Sequence, residues 1–281
     1  MRKIRLLTVA MATASLLVTT LVAAPAANAA EGTLADILKR GKLIVGTGSG
    51  NPPFHFLDTT GKLVGMDIDI SKAIAKGLFG DDSKVEFVQQ GPESRIPNIV
   101  TGKVDITCQF MTVTTSRAQQ VAFTDPYYRE GIGLILKKGG KYKNYAALLK
   151  AGSAAKISTL QNVYADSLVK AALPKAKVLQ YAEVPLIYSA VDAGRADAAA
   201  ADQSAIAWLV AQNPTKYVDS GYGWGPQTYS CALKQGDGVW LNFVNQVLNE
   251  AMSGVDFDTY AASFKKWFGV TLPPPKIGFP R

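Results

Sequence analysis

The chain has 281 residues, 48% of them hydrophobic and 19% charged, with 30 basic against 22 acidic side chains and a formal net charge of +8. Its lysines are scattered rather than gathered into a stripe, which excludes an obvious nucleic-acid or membrane-surface partner. One histidine and two distant cysteines are too few for a zinc cluster, and the length is enough for one large core or for two lobes of roughly 100–150 residues each.

Residues 1–29 read as an export signal. Arg2, Lys3 and Arg5 precede an apolar run from Leu6 to Val22, and Ala27-Asn28-Ala29 forms a small-residue cleavage site. Cleavage after Ala29 leaves 27 basic and 22 acidic residues, a net +5, and Ala30 offers no thiol for lipid attachment. A periplasmic location is expected. Cys108 and Cys231 would then meet an oxidising compartment, where an even pair reads first as one disulfide and otherwise as two buried free thiols. Closing so long a loop would add roughly 4–5 kcal/mol in the chain-entropy account.

From residue 33 onward, strand and helix patterns alternate. A short helix over 33–41 is followed by a strand over 43–47, a loop over 48–53 and a hairpin over 54–64. Apolar residues at helical spacing predict a helix over 68–79; a strand over 85–88 and a short helix over 94–100 come next. The second series comprises strands over 131–137, 156–160, 177–181 and 196–201, interleaved with helices over 145–150, 162–172, 184–193 and 203–211. Gly221 to Pro226 reads as a break, 228–233 as a strand, and 240–252 and 257–267 as closing helices. Alternation of this kind implies parallel sheets flanked by helices, with ligands at the carboxyl ends of the strands. Breaks near 127–131 and 225–229 predict two lobes. If Cys108 bonds Cys231, the second lobe is an insertion joined by two strands, and the cleft between lobes is the site.

The stretch from Asp105 to Tyr128 is the chemically suggestive one. A buried strand ends in Thr112, Thr114, Thr115 and Ser116, beside the lone cation Arg117. A guanidinium fork with hydroxyls and turn amides suits a carboxylate. Turn and cap chemistry with a solvated arginine is the alternative. His55, in an aromatic loop, is expected to be a packing residue, with no nearby sequence partner for catalysis or metal ligation.

Six segments, in order, carry a resemblance: Val64–Ile70, Arg95–Asp105, Thr112–Arg117, Phe123–Tyr128, Ala193–Ala198 and Lys266–Phe268. Together they resemble the periplasmic solute-binding proteins of the polar amino-acid ABC-transporter family, across nearly all of the exported chain. Ser94-Arg-Ile-Pro97, the two cysteines and the Pro-rich end are most similar to the glutamate/aspartate-binding branch. The resemblance implies an α/β fold of two lobes, each a mostly parallel sheet flanked by helices, with a two-strand hinge. Residues 30–126 and 230–281 would form the first lobe and 131–225 the second, hinged near 127–130 and 226–229.

The implied function is capture of an amino acid, polar or acidic, in the interlobe cleft and its delivery to an ABC-importer permease. No cofactor, metal or nucleic acid is expected, and the protein is expected to be a monomer without catalysis. By the resemblance, Arg117 grips the α-carboxylate with Thr112, and Asp202 holds the α-ammonium. Asp202 also stands out by itself, since an acid after a run of small apolar residues needs a partner or a capping role. Asn162 would begin a helix whose N–H groups face the carboxylate, although Leu160-Gln161-Asn162 departs from the family's usual Ser-Gly-Thr type of turn. Phe110 stands where the family has a small residue, and Gly48 where the acidic-ligand branch has an arginine. Arg95 is then the candidate cation for an acidic side chain or a solvated helix-start residue, with Asn51, Pro92 and Glu93 nearby. The same fold supports cyclohexadienyl dehydratases, so an enzyme of that kind is the alternative function.

Overall fold

The computed structural model describes residues 32–161, 165–182, 184–276 and 278. The export signal expected over 1–29 and Asn162 therefore lie outside the described residues. Within them, one curved sheet runs through the molecule in the strand order Lys177–Tyr181, Lys156–Leu160, Ala198–Asp202, Tyr128–Lys137, Trp224–Leu233, Ile106–Thr112, Leu43–Thr47, Val85–Gln89. The three strands at one end pair in parallel, as do the three at the other. The two long central strands run antiparallel to each other and join the halves.

The parallel strands are short apolar runs, as expected where helices cover both faces of a sheet. In Leu43–Thr47 all but one residue are buried, and Ala198, Ala199 and Ala200 of the strand Ala198–Asp202 are likewise inside. Helix Met66–Phe79 buries Met66, Ile70 and Ile74 against that first set, together with Trp240, Val244 and Leu248 of helix Gly238–Ser253. Asp237 starts the latter helix by accepting the Trp240 N–H at 2.9 Å. A separate core forms around Ile132, Leu134, Leu136, Ile157 and Ala198, and another around Ile135, Ile187 and Ile206. The apolar cores thus divide on either side of the central strand pair.

One expectation needs correction. Gly221 to Pro226 is not a break throughout, because the strand starts at Trp224 and runs ten residues to Leu233. Gly225 takes a left-handed φ of 59° inside it, and the register shifts between Trp224 and Gln227, so the glycine-rich signal marks a bulge. The expected helix over 162–172 is described over Ala165–Ala172. The segments expected to hinge are register partners: Tyr128 opposes Tyr229, Arg129 opposes Thr228, and Glu130 opposes Gln227. Cys108 and Cys231 form a disulfide between the adjacent strands Ile106–Thr112 and Trp224–Leu233, both sulfurs buried. It returns the C-terminal segment to the first half.

Candidate functional site

In the first half, the carboxyl ends of the parallel strands converge on two arginines. Arg95 begins helix Arg95–Val100 and is only 7% exposed. The reading of a solvated helix-start residue is overturned. Its Nε donates to the Pro92 carbonyl at 3.0 Å and its Nη1 to the Gln109 carbonyl at 3.1 Å, while its guanidinium lies 5.8 Å from the centre of the Phe110 ring. Burial, and then the neighbouring charge of Arg117, pull its pKa down to about 10. It stays charged at neutral pH.

Arg117 sits in the one-turn helix Thr115–Ala118, half-buried, with its Nη1 donating to the Thr112 carbonyl at 2.8 Å. Burial also lowers its pKa. Among the described residues neither arginine forms an ion pair. The expected hydroxyl cage is only partly realised. Thr112 directs its hydroxyl to Gln227 Oε1 at 3.1 Å, and Thr114 caps the helix by accepting the Arg117 N–H at 3.3 Å. Turn and cap chemistry thus claims some of these hydroxyls.

Beside the arginines lies a buried polar chain that begins at the expected ligand residue Asn51. Asn51 Nδ2 is 3.2 Å from His55 Nε2, and His55 Nδ1 is 2.7 Å from Asp67 Oδ2. Asp67 also accepts the Tyr127 hydroxyl at 2.5 Å and the Phe110 N–H at 2.9 Å. His55 packs as expected, stacking on Phe110 with ring centres 4.7 Å apart, and its bond to Asp67 reaches across the chain to the following helix. The signal was present: Asp67 shares the helical stripe of Ile70, Ser71 and Ile74, a stripe that is otherwise inside.

Phe110 has φ of +33°, the only non-glycine in the left-handed region among the described residues. Its N–H bond to Asp67 and its stacking on His55 hold it there, and strain of this kind gathers at functional sites. Gly48 is explained by the same chain. A Cβ there would stand 2.7 Å from the His55 ring and 3.0 Å from Gln109 Nε2, so no arginine can replace it while His55 is in place.

The second half contributes acids. Asp202 ends strand Ala198–Asp202 and precedes helix Gln203–Gln212, yet its side chain does not cap that helix. It accepts the Tyr229 hydroxyl at 2.8 Å instead. Burial raises its pKa, with the Tyr229 bond pulling the other way. Tyr229 opposes Thr112 on the neighbouring strand, so the acid and the Arg117 turn approach each other across the central strands. Glu130 lies behind Asp202, and burial together with the Asp202 charge pushes it up to about 7. Sequence reasoning missed Glu130 and Tyr229, because neither is a ligand type in a suggestive spacing. Only the crossing of the strands brings them to Asp202.

Residues 43–270 match the family of bacterial extracellular solute-binding proteins, family 3. The chain belongs to that family. A glutamine-binding protein of Geobacillus stearothermophilus is 32% identical over 197 residues, 68% of this chain and 71% of that one. The glutamate/aspartate import solute-binding protein of Escherichia coli K12 is 26% identical, covering 90% of this chain and 84% of its own. Among solved structures, an ancestral cationic amino acid solute-binding protein superposes with a TM-score of 0.71 at 34% identity, covering 84% of this chain and 99% of that one. An arginine-binding protein from T. maritima superposes at 0.68 with 30% identity, covering 85% of this chain and 100% of that one.

These family 3 relatives are two-lobed amino-acid-binding proteins, and this chain shares their α/β architecture. Their names span neutral, acidic and basic ligands, so the family assignment establishes an amino-acid solute-binding protein and leaves the side chain to local chemistry. The assignment to the glutamate/aspartate branch rests on fewer features, since the glutamine-binding relatives match as well.

Proposed function

We propose that this family 3 protein captures a polar or acidic α-amino acid between lobes formed by residues 30–126 with 230–281 and by 131–225. The hinge lies near 127–130 and 226–229, and the loaded monomer hands its ligand to a membrane permease in the periplasm. The observation that carries the reading is a mismatch of charge. Arg95 and Arg117 are enclosed with only backbone carbonyls as acceptors, and Asp202 is enclosed with only a phenol as donor. Buried and half-buried charges of both signs that form no ion pair among the described residues suit a zwitterion that supplies their partners.

In this reading Arg117 takes the α-carboxylate, Asp202 the α-ammonium, and Arg95 the far end of the ligand. Asn51, held by His55, and the Phe110 ring line the same end, and the N–H groups near Asn162 would add to the carboxylate cage. A cationic side chain is disfavoured there, because Arg95 is buried and the Asp67 carboxylate is already occupied by three donors. Lobe closure follows from contacts that both lobes make only when the ligand bridges them.

One solved relative is described as a precursor of cyclohexadienyl dehydratase. A dehydratase needs an acid within reach of the leaving hydroxyl. Glu130 has a suitable pKa, but it is 3% exposed and its oxygens are bonded to Gly131 and Ser204, which favours binding over turnover. A thermal-shift screen of refolded, ligand-stripped protein against the twenty amino acids, small dicarboxylates and prephenate tests the choice. A ligand at about 100 times its Kd adds roughly 2.7 kcal/mol. Stabilisation by glutamine, glutamate or their short homologues is expected. Stabilisation by arginine and lysine alone would overturn the assignment of Arg95, and turnover of prephenate would overturn the binding reading.

A further inference from the structure

Amino-acid capture as proposed makes no use of Glu130, yet this is the most enclosed carboxyl beside the ammonium site. It lies on the crossing strand Tyr128–Lys137 at a register position opposite Gln227. One carboxyl oxygen accepts the Gly131 N–H at 2.8 Å and the Ser204 N–H at 3.4 Å. The other accepts the Ser204 hydroxyl. Ser204 is the second residue of helix Gln203–Gln212, immediately after Asp202. Glu130 therefore ties down the segment that carries Asp202.

The groups around this pair are acids and phenols. Asp202 comes from strand Ala198–Asp202, Tyr229 from strand Trp224–Leu233, and Tyr128 from the same strand as Glu130. Tyr188 of helix Val184–Asp192 lies close enough to Asp202 for the carboxylate to raise its phenol, and Tyr260 of helix Phe257–Phe268 acts on Tyr128 in the same way. Helix Gln203–Gln212 carries no charged side chain. Among the groups that act on Glu130 there is no cation. Burial and the Asp202 charge together push it up to about 7.

We infer that Glu130 is a proton-linked positioning residue, holding a proton while the site is empty and releasing it to solvent when an α-ammonium group settles on Asp202. The inference rests on the proposed role of Asp202. A cation brought up to two coupled carboxyls favours the ionised form of both. Once ionised, Glu130 is an acceptor only, and the bonds it accepts from the Ser204 hydroxyl and N–H become charge-assisted, tightening the start of the helix behind Asp202. By reciprocity, ligand affinity rises with pH through neutrality, changing by up to about tenfold per unit below it.

Calorimetric titration with L-glutamine, L-glutamate and L-arginine at pH 7, in phosphate and in Tris, reads the released proton directly. A binding amino acid should show a buffer-dependent heat equivalent to about half a proton, as a group half-protonated at that pH would give. Glu130→Gln should abolish the dependence, and its affinity should be flat between pH 5.5 and 8.5. Ser204→Ala, which removes a bond that favours ionisation, should move the midpoint of the affinity profile upward. The carboxyl carbon of Glu130, followed by NMR in ligand-free wild type, should titrate near neutrality. That measurement does not depend on whether the Gln variant folds. Binding heat identical in both buffers, or proton release that persists in Glu130→Gln, would overturn the inference while leaving amino-acid capture intact. Absence of heat with all three amino acids would remove the capture reading and this inference with it.

Discussion

Among the described residues, the first half of this protein gathers two arginines that form no ion pair, and the second gathers two acids that form none. Arg95 and Arg117 spend their donors on backbone carbonyls, and burial lowers the pKa of both, with the Arg117 charge adding to the effect on Arg95. Asp202 and Glu130 accept from hydroxyls and amides, and burial raises both, with the Asp202 charge adding to the effect on Glu130. Among the described residues no ion pair joins the two sets. A fold built for stability alone would let such charges neutralise each other or leave them in water. Keeping them apart stores an unmet demand for a molecule with both charges.

The two ends differ in how they adapt. Arginines stay charged under any physiological condition, Arg95 even with its pKa pulled down to about 10, so the cationic end is permanently poised. A carboxyl near 7 can be neutral when the site is empty, so the ammonium end can soften its own cost. The same linkage acts on stability. The folded-state pKa of Glu130 lies above its unfolded value, so its contribution is present in acid and is lost as pH rises through about 7. Unfolding midpoints of ligand-free wild type should fall between pH 5 and 8 by more than those of Glu130→Gln.

The largest effect is expected at the permanent end. Arg117→Ala should cost about 2–5 kcal/mol of binding, since it leaves the ligand carboxylate enclosed and unpaired. Calorimetric affinity near that of wild type would erase the asymmetry between the ends. Asp202→Asn should weaken amino acids by an amount approaching that range but spare analogues lacking the ammonium, and an unchanged ratio between the two would count against its role. Arg95→Met removes a buried cation without a partner. It should leave the ligand-free protein no less stable, while lowering the preference for an acidic over a neutral side chain by roughly tenfold, or about 1.4 kcal/mol. A selectivity ratio equal to wild type would relegate Arg95 to packing on Phe110. The smallest change is expected for Tyr229→Phe, at about 1 kcal/mol, because it deletes a single hydrogen bond to a carboxylate whose ammonium partner remains.

Much of the architecture was legible beforehand because it depends on local pattern. Apolar runs such as Leu43-Ile-Val45 mark buried strands, helical spacing marks Met66–Phe79, and the order of the segments marks the family. Arg117 and Asp202 were legible because each is a charge set against an uncharged neighbourhood. The bulge at Gly225 was misread as a break, since glycine signals a left-handed residue without saying whether pairing resumes beyond it. The solvated reading of Arg95 was open for a similar reason, because helix-start position says nothing of what covers the side chain.

By itself, then, the sequence determined the alternation of strands and helices, the family, and which charges stand alone in uncharged stretches. Tertiary structure alone decided which of those charges lack partners. Strand crossing placed Glu130 and Tyr229 against Asp202, and the packing of a helix on a loop joined Asp67 to His55 and closed the space at Gly48. The physical reason is that charge and periodicity are properties of residues near in sequence. Desolvation and hydrogen-bond satisfaction belong to neighbours in space, which the chain brings together only when it folds.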